Sequence, residues 1–164
     1  MPLKISKLVL LVEDEEDDIL LFERACLRAE VTFARRSVRD GRQAIDYLEG
    51  NGRYRNRVVY PMPDMVILDV NMPVLSGFDV LRWIRASQDA SNLIVVMFTS
   101  SKADADVKRA YELLANSYLV KPLTSDDLVV TLSVIERYWI TLNLVPGMPP
   151  HAIDPSSGEG QVLA

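Results

Sequence analysis

Asp69 closes the apolar run Met65-Val66-Ile67-Leu68 and is followed by Val70-Asn71-Met72-Pro73. The run has the pattern of a short, buried strand, and Pro73 ends it. A carboxylate in that position lies at the carboxyl edge of a sheet, where open α/β folds keep their chemistry. Other apolar runs end the same way. Leu8-Val9-Leu10-Leu11-Val12 leads into Glu13-Asp14, residues 93–98 lead into Thr99, and Tyr118-Leu119-Val120 leads into Lys121-Pro122. Clustered at one edge, Glu13, Asp14 and Asp69 repel one another and need a counterion to remain ionised together. A divalent cation such as Mg²⁺, which prefers carboxylates, carbonyls and retained waters, meets that need. The backbone carbonyl of Asn71 is a natural further ligand. A carboxylate nucleophile, a metal, an ammonium and a hydroxyl are the parts that phosphoryl transfer uses, and Asp69 is the group that would become an aspartyl-phosphate. Glu15, Glu16, Asp17 and Asp18 read instead as a solvated acidic helix start, favoured by the helix dipole.

The elements that position these groups alternate along the chain. Strands are expected at residues 7–12, 32–38 (weaker), 65–68, 93–98 and 117–120, and helices at 17–29, behind Asp40, behind Ser76 and Asp79, at 103–114, and from Thr124 and Asp127 to about residue 143. Residues 53–63 read as a basic loop. Unbroken alternation implies a doubly wound parallel sheet with helices on both faces. In a flavodoxin-like strand order, the strands ending at Glu13 and Asp69 border the crevice where the winding reverses.

Bulk properties narrow the function. The 164 residues, 49% hydrophobic and 25% charged, suit one globular domain at residues 1–145 with a loose tail at 146–164 rich in Pro, Gly and Ser. A net charge of −5 argues against nucleic acid as a partner. The single cysteine, Cys26, has no partner within the chain and reads as a small core residue. With no secretory signal and no run long enough to cross a bilayer, a cytoplasmic protein without membrane contact is expected. There is no P-loop, zinc spacing or Gly-x-Ser-x-Gly elbow. A flavin protein would place a phosphate-cradling loop where Glu13-Asp14-Glu15-Glu16 stands. An aspartyl-phosphate hydrolase would carry its nucleophile after the first strand rather than the third. His151 falls in the tail and reads as inert.

The set Glu13-Asp14, Leu68-Asp69-Val70-Asn71-Met72-Pro73 with Ser76-Gly77, Thr99-Ser100 and Tyr118-Leu119-Val120-Lys121-Pro122 resembles the receiver domain of two-component response regulators. The resemblance covers residues 7–142, and the chain looks like a stand-alone receiver. Asn116-Ser117-Tyr118 and Tyr138-Trp139 are similar to receivers paired with phytochrome-type sensor kinases. The resemblance implies a five-stranded flavodoxin-like fold and a signalling phosphoacceptor that is no enzyme beyond its own phosphotransfer and dephosphorylation. It implies that Asp69 takes phosphate from a phosphohistidine of a sensor histidine kinase. Asp14 and Asp69 would bind Mg²⁺ directly, Glu13 through water and Asn71 through its carbonyl. Lys121 and Thr99 would bind the phosphoryl oxygens, and Tyr118 would turn inward as Thr99 moves. A cis Lys121–Pro122 peptide is also implied. Glu13 stands where aspartate is more usual. A non-phosphorylated pseudo-receiver acting as an interaction module is the alternative, against which intact Asp69, Thr99 and Lys121 argue.

The last helix carries one stripe of Leu128, Leu132, Ile135, Trp139 and Leu142, widened by Val130, Val134, Tyr138 and Ile140. A stripe wider than one sheet face needs suggests a homodimer through this surface.

Overall fold

The computed structural model describes residues 6–146; the expected tail beyond Pro146, with His151, lies outside the described residues. Five strands, β1 (Leu8–Val12), β2 (Ala34–Val38), β3 (Met65–Leu68), β4 (Ile94–Thr99) and β5 (Ser117–Val120), alternate with helices α1 (Glu16–Arg28), α2 (Gly41–Glu49), α3 (Gly77–Ala86), α4 (Asp104–Glu112) and α5 (Ser125–Ile135). All neighbouring strands pair in parallel, in the order β2-β1-β3-β4-β5. The winding therefore reverses between β1 and β3, as a flavodoxin-like order requires.

The three inner strands β1, β3 and β4 are buried at every position, which explains why they read as continuous apolar runs rather than alternating ones. Their side chains feed two cores, one per sheet face. Val12, Val66, Leu68, Val95 and Met97 pack with α2 and α3, and Val9, Leu11, Ile67, Val96 and Phe98 pack with α1 and α5. β2 is an edge strand whose Ala34, Arg36 and Ser37 are not buried, so its pattern is weak in sequence.

Caps fix where the helices begin. Ser76 and Asp79 form a reciprocal capping box on α3, Asp40 accepts from the Gln43 N–H at 2.7 Å, and Thr124 accepts from the Asp127 N–H at 3.1 Å. Gly50 ends α2 in the left-handed conformation, φ 75°, where glycine carries no Cβ penalty.

Two segments differ from the sequence reading. Residues 53–63 are not simply a loop. A 3₁₀ turn covers Gly52–Arg55, and Tyr47, Tyr54 and Tyr60 pack ring against ring with centroids 5.1 to 6.0 Å apart. Arg57 donates to the carbonyls of Tyr47 at 2.6 Å and Leu48 at 2.5 Å, satisfying acceptors at the end of α2. That arginine is thus a structural cap.

The last helix reaches Leu142 as expected, but Glu136–Leu142 is a π-helix. Its wider i→i+5 turn changes which residues face the core. Leu132, Ile135 and Ile140 are buried and Trp139 is half-buried, whereas Leu142 is exposed. The step from Ile135 to Ile140 is five residues, so Ile140 takes the place that an α-helical stripe assigns to Leu142. Val130, Val134 and Tyr138 remain exposed, as a stripe wider than the sheet face predicts.

Candidate functional site

The residues of the candidate site stand at the strand ends or just beyond them, and Glu13, Asp69 and Lys121 are fixed there by the backbone ladder. The Asp69 N–H donates to the Val12 carbonyl at 3.0 Å, the Glu13 N–H to the Val38 carbonyl at 3.1 Å, and the Lys121 N–H to the Thr99 carbonyl at 2.8 Å. Distant acids, a hydroxyl and an ammonium therefore reach one sheet edge because the strands that carry them are in register.

Glu13, Asp14 and Asp69 each offer a carboxylate oxygen, and these atoms lie within 4.8 Å of one another. Glu13 and Asp69 are buried and Asp14 is half-buried. The all-oxygen, acid-rich donor set suits a hard divalent cation. Asn71 lies just beyond, its N–H donating to Asp69 Oδ1 at 3.2 Å.

The Lys121 ammonium sits among the acids. Its Nζ is 2.5 Å from Glu13 Oε2, 2.7 Å from Asp18 Oδ2 and 2.9 Å from Asp69 Oδ2. Burial pushes the Glu13 carboxyl up to about 7 despite the pull of Lys121. Burial works against the Lys121 charge too, but hydrogen bonds to Asp18, Glu13 and Asp69 outweigh it and leave that ammonium harder to deprotonate than usual.

Asp18 is the residue that pattern reading misses. It is not merely part of a solvated helix start, because the first turn of α1 carries it back over the strand ends to Lys121. Its spacing of five from Glu13 is the only signal in the sequence, and that spacing has meaning only once the start of α1 is known. The neighbouring Glu15, Glu16 and Asp17 are exposed, as expected.

Thr99 is fully buried, and its Oγ1 accepts from the Ser101 N–H at 3.4 Å. The Tyr118 hydroxyl donates to the carbonyl of the same Ser101 at 3.1 Å. One residue of backbone thus links the hydroxyl at the end of β4 to the aromatic ring on β5. Asn116 has a structural use: its Oδ1 accepts from the Val95 N–H and from Arg85, both at 2.8 Å. The Lys121–Pro122 peptide is trans, as are all peptide bonds among the described residues, which corrects the cis expectation.

The arrangement can gather a divalent cation beside a buried carboxylate that an ammonium already contacts, with a buried hydroxyl at the end of the neighbouring strand. Comparison with known proteins places the chain among relatives of similar sequence and fold. The model of the response regulator receiver domain matches residues 9–133. The probable methanogenesis regulatory protein FilR2 of Methanothrix harundinacea is 40% identical over 143 residues, covering 85% of this chain and 88% of FilR2. The phosphorylated cyanobacterial phytochrome response regulator RcpA superposes with a TM-score of 0.79 at 31% identity, over 86% of this chain and 99% of RcpA. The Mn²⁺-bound form of response regulator Rcp1, a protein of Synechocystis, superposes with a TM-score of 0.76 at 33% identity, over 85% of this chain and 99% of Rcp1.

Proposed function

We propose that this chain, which belongs to the response regulator receiver family, accepts a phosphoryl group on Asp69 from a phosphohistidine of a sensor histidine kinase and signals through its changed surface. The observation that carries the reading is the position of the Lys121 ammonium, 2.9 Å from Asp69 Oδ2 and beside the three clustered carboxylates.

In the transfer, an Asp69 carboxylate oxygen forms a bond to phosphorus as the bond from phosphorus to the histidine nitrogen breaks. The nitrogen keeps the electron pair. Asp14 and Asp69 would ligate Mg²⁺ directly, Glu13 through a water and Asn71 through its backbone carbonyl. When bound, the cation supplies charge neutralisation on the transferring oxygens. Lys121 and Thr99 bind the phosphoryl oxygens and hold them in line. The product adds roughly −1.5 to −2 charge and three acceptor oxygens at Asp69. Thr99 is then drawn toward the phosphoryl group, and Tyr118, linked to it through Ser101, takes the inward arrangement.

Similarity to RcpA, a phytochrome response regulator, supports a phytochrome-type kinase as the donor. The exposed Val130, Val134 and Tyr138 on α5 and the segment after it support a homodimer through that surface. The chain's own turnover is limited to gaining and losing its phosphoryl group. A cytoplasmic location suits the free thiol of Cys26 and the absence, among the described residues, of a helix long and apolar enough to cross a membrane. The net charge of −5 supports protein contact rather than nucleic acid as the output.

Incubation with Mg²⁺ and acetyl phosphate or beryllofluoride tests the reading. Native protein should be modified and Asp69→Asn should not. Equal modification of the two rejects Asp69 as the acceptor.

A further inference from the structure

An ammonium has three N–H donors, and each one on Lys121 has a carboxylate partner: Glu13, Asp18 and Asp69. Two of these partners belong to the cluster that can hold a cation, and Asp18 does not. Asp18 is also the more accessible partner, its side chain 38% exposed against 4% for Glu13 and 8% for Asp69. We propose, on the reading of Asp69 as phosphoacceptor, that Asp18 is a positioning residue that holds the Lys121 ammonium in place when cation and phosphoryl group draw Glu13 and Asp69 away from it.

A bound divalent cation competes with Lys121 for the oxygens of Glu13 and Asp69. Transfer then changes Asp69 from a carboxylate into an acyl phosphate. The ammonium loses two of its three partners at the moment when its position matters most. Lysine carries a point charge on a flexible four-carbon stem, so a lone ammonium without an anchor samples many positions. Asp18 is the acceptor that neither event removes. The surroundings offer few others on that side. A cavity of about 60 Å³ lies there, and apart from Glu13, Asp18 and Lys121 its walls are Leu11, Leu21, Phe22, Phe98, Pro122 and Leu128. Those walls keep the ammonium from moving inward and leave Asp18 to fix it at the edge.

A double-mutant cycle tests this, with the rate of labelling by acetyl phosphate at saturating Mg²⁺ as the readout. Asp18→Asn should slow labelling by about tenfold in the native background and by less than about twofold in Lys121→Ala. Asp18→Glu, which keeps the charge, should recover part of the rate and serves as the second variant if the asparagine disturbs the start of α1. Asp17→Asn removes the same charge from an exposed neighbour and should leave the rate within about twofold. Equal slowing by Asp18→Asn in both backgrounds, equal slowing by Asp17→Asn, or no slowing at all overturns the assignment. Asp69→Asn is measured alongside. Labelling of that variant at the native rate defeats the phosphoacceptor reading itself, a result separate from failure of the Asp18 cycle.

Discussion

A Cβ placed on Gly77 would stand 2.1 Å from the carbonyl oxygen of Asp69. Its other obstacles, the Asp69 carbonyl carbon and the Val70 Cα, are each at 2.9 Å, and all three are backbone atoms that no rotamer change can move. The Gly77 N–H donates to the Val70 carbonyl at 2.9 Å, so the start of α3 is pressed directly against the segment that carries the acceptor. Gly77→Ala should therefore cost about 3 kcal/mol of unfolding free energy, the upper end of ordinary overpacking. It should also weaken Mg²⁺ binding by moving Asp69. Urea denaturation and calorimetric Mg²⁺ titration read both effects. A variant as stable as the native protein would mean that the loop yields more easily than its contacts imply.

Removing the ammonium should show its structural and signalling uses separately. Lys121 is 14% exposed and answers three acids, so Lys121→Ala leaves carboxylates unpaired at a largely buried site. A loss of about 3 kcal/mol of stability is expected without a divalent cation, as for other buried pairs broken from one side. Addition of Mg²⁺ should restore part of it, because the cation answers the same charges. The variant should still bind Mg²⁺ yet lose most of its conformational response to beryllofluoride, followed by amide chemical shifts around Thr99 and Tyr118. An unimpaired response would contradict the assigned contact between Lys121 and the phosphoryl oxygens.

Much of this site is legible in the sequence for a simple reason. β1, β3 and β4 are buried along their whole length, so each is an unbroken apolar run, and the first polar residue after each run is necessarily at the sheet edge. Glu13, Asp69 and Thr99 could be placed that way without coordinates. β2 is harder to see because Ala34, Arg36 and Ser37 are exposed at the sheet edge and Arg35 is charged, so the strand lacks an apolar signature. Asp18 is invisible to the same logic. Its role depends on the angle at which α1 leaves β1, which no local pattern encodes, and its neighbours Glu15, Glu16 and Asp17 are the solvated acids they look like. The π-helix after Ile135 is likewise unmarked, since its residues are compatible with an α-helix and tertiary packing sets the wider turn. Glu136 at its start is tied to Thr32, whose Oγ1 donates to Glu136 Oε1 at 2.8 Å, a contact across more than one hundred residues of chain.

Cys26 should be chemically silent in the folded protein. It is buried at 1% exposure, and burial pushes its thiol from an ordinary value of 9.0 up to about 12. Thiolate is the reactive form, so iodoacetamide at pH 8 should leave the native protein unmodified and label it fully in denaturant. The same shift affects stability. A thiol whose pKa is higher when folded than when unfolded contributes fully below about 9, and that contribution is lost as pH rises toward 12. Cys26→Ala should therefore flatten the fall in stability between those limits. Rapid alkylation of native protein at pH 8 would show that α1 opens far more often than its packing suggests.

The π-helical turn makes a sharper prediction about the dimer surface. An α-helical stripe buries Leu142 and leaves Ile140 at its margin. The observed turn buries Ile140 at 7% exposure and leaves Leu142 at 51%. Ile140→Ala should then cost about 2 to 4 kcal/mol of unfolding free energy through a cavity against the α1 and α5 side of the sheet. Leu142→Ala should cost less than about 0.5 kcal/mol in the monomer, as exposed positions do. The same pair separates folding from association. If the exposed face of this helix joins two copies, Leu142→Ala and Val134→Asp should shift sedimentation toward the monomer while melting curves at low concentration stay near native. Sedimentation of native protein as a monomer at high concentration, with and without beryllofluoride, would remove the homodimer. The reverse order of stabilities, with Leu142→Ala the more damaging, would instead return the segment to an α-helical register.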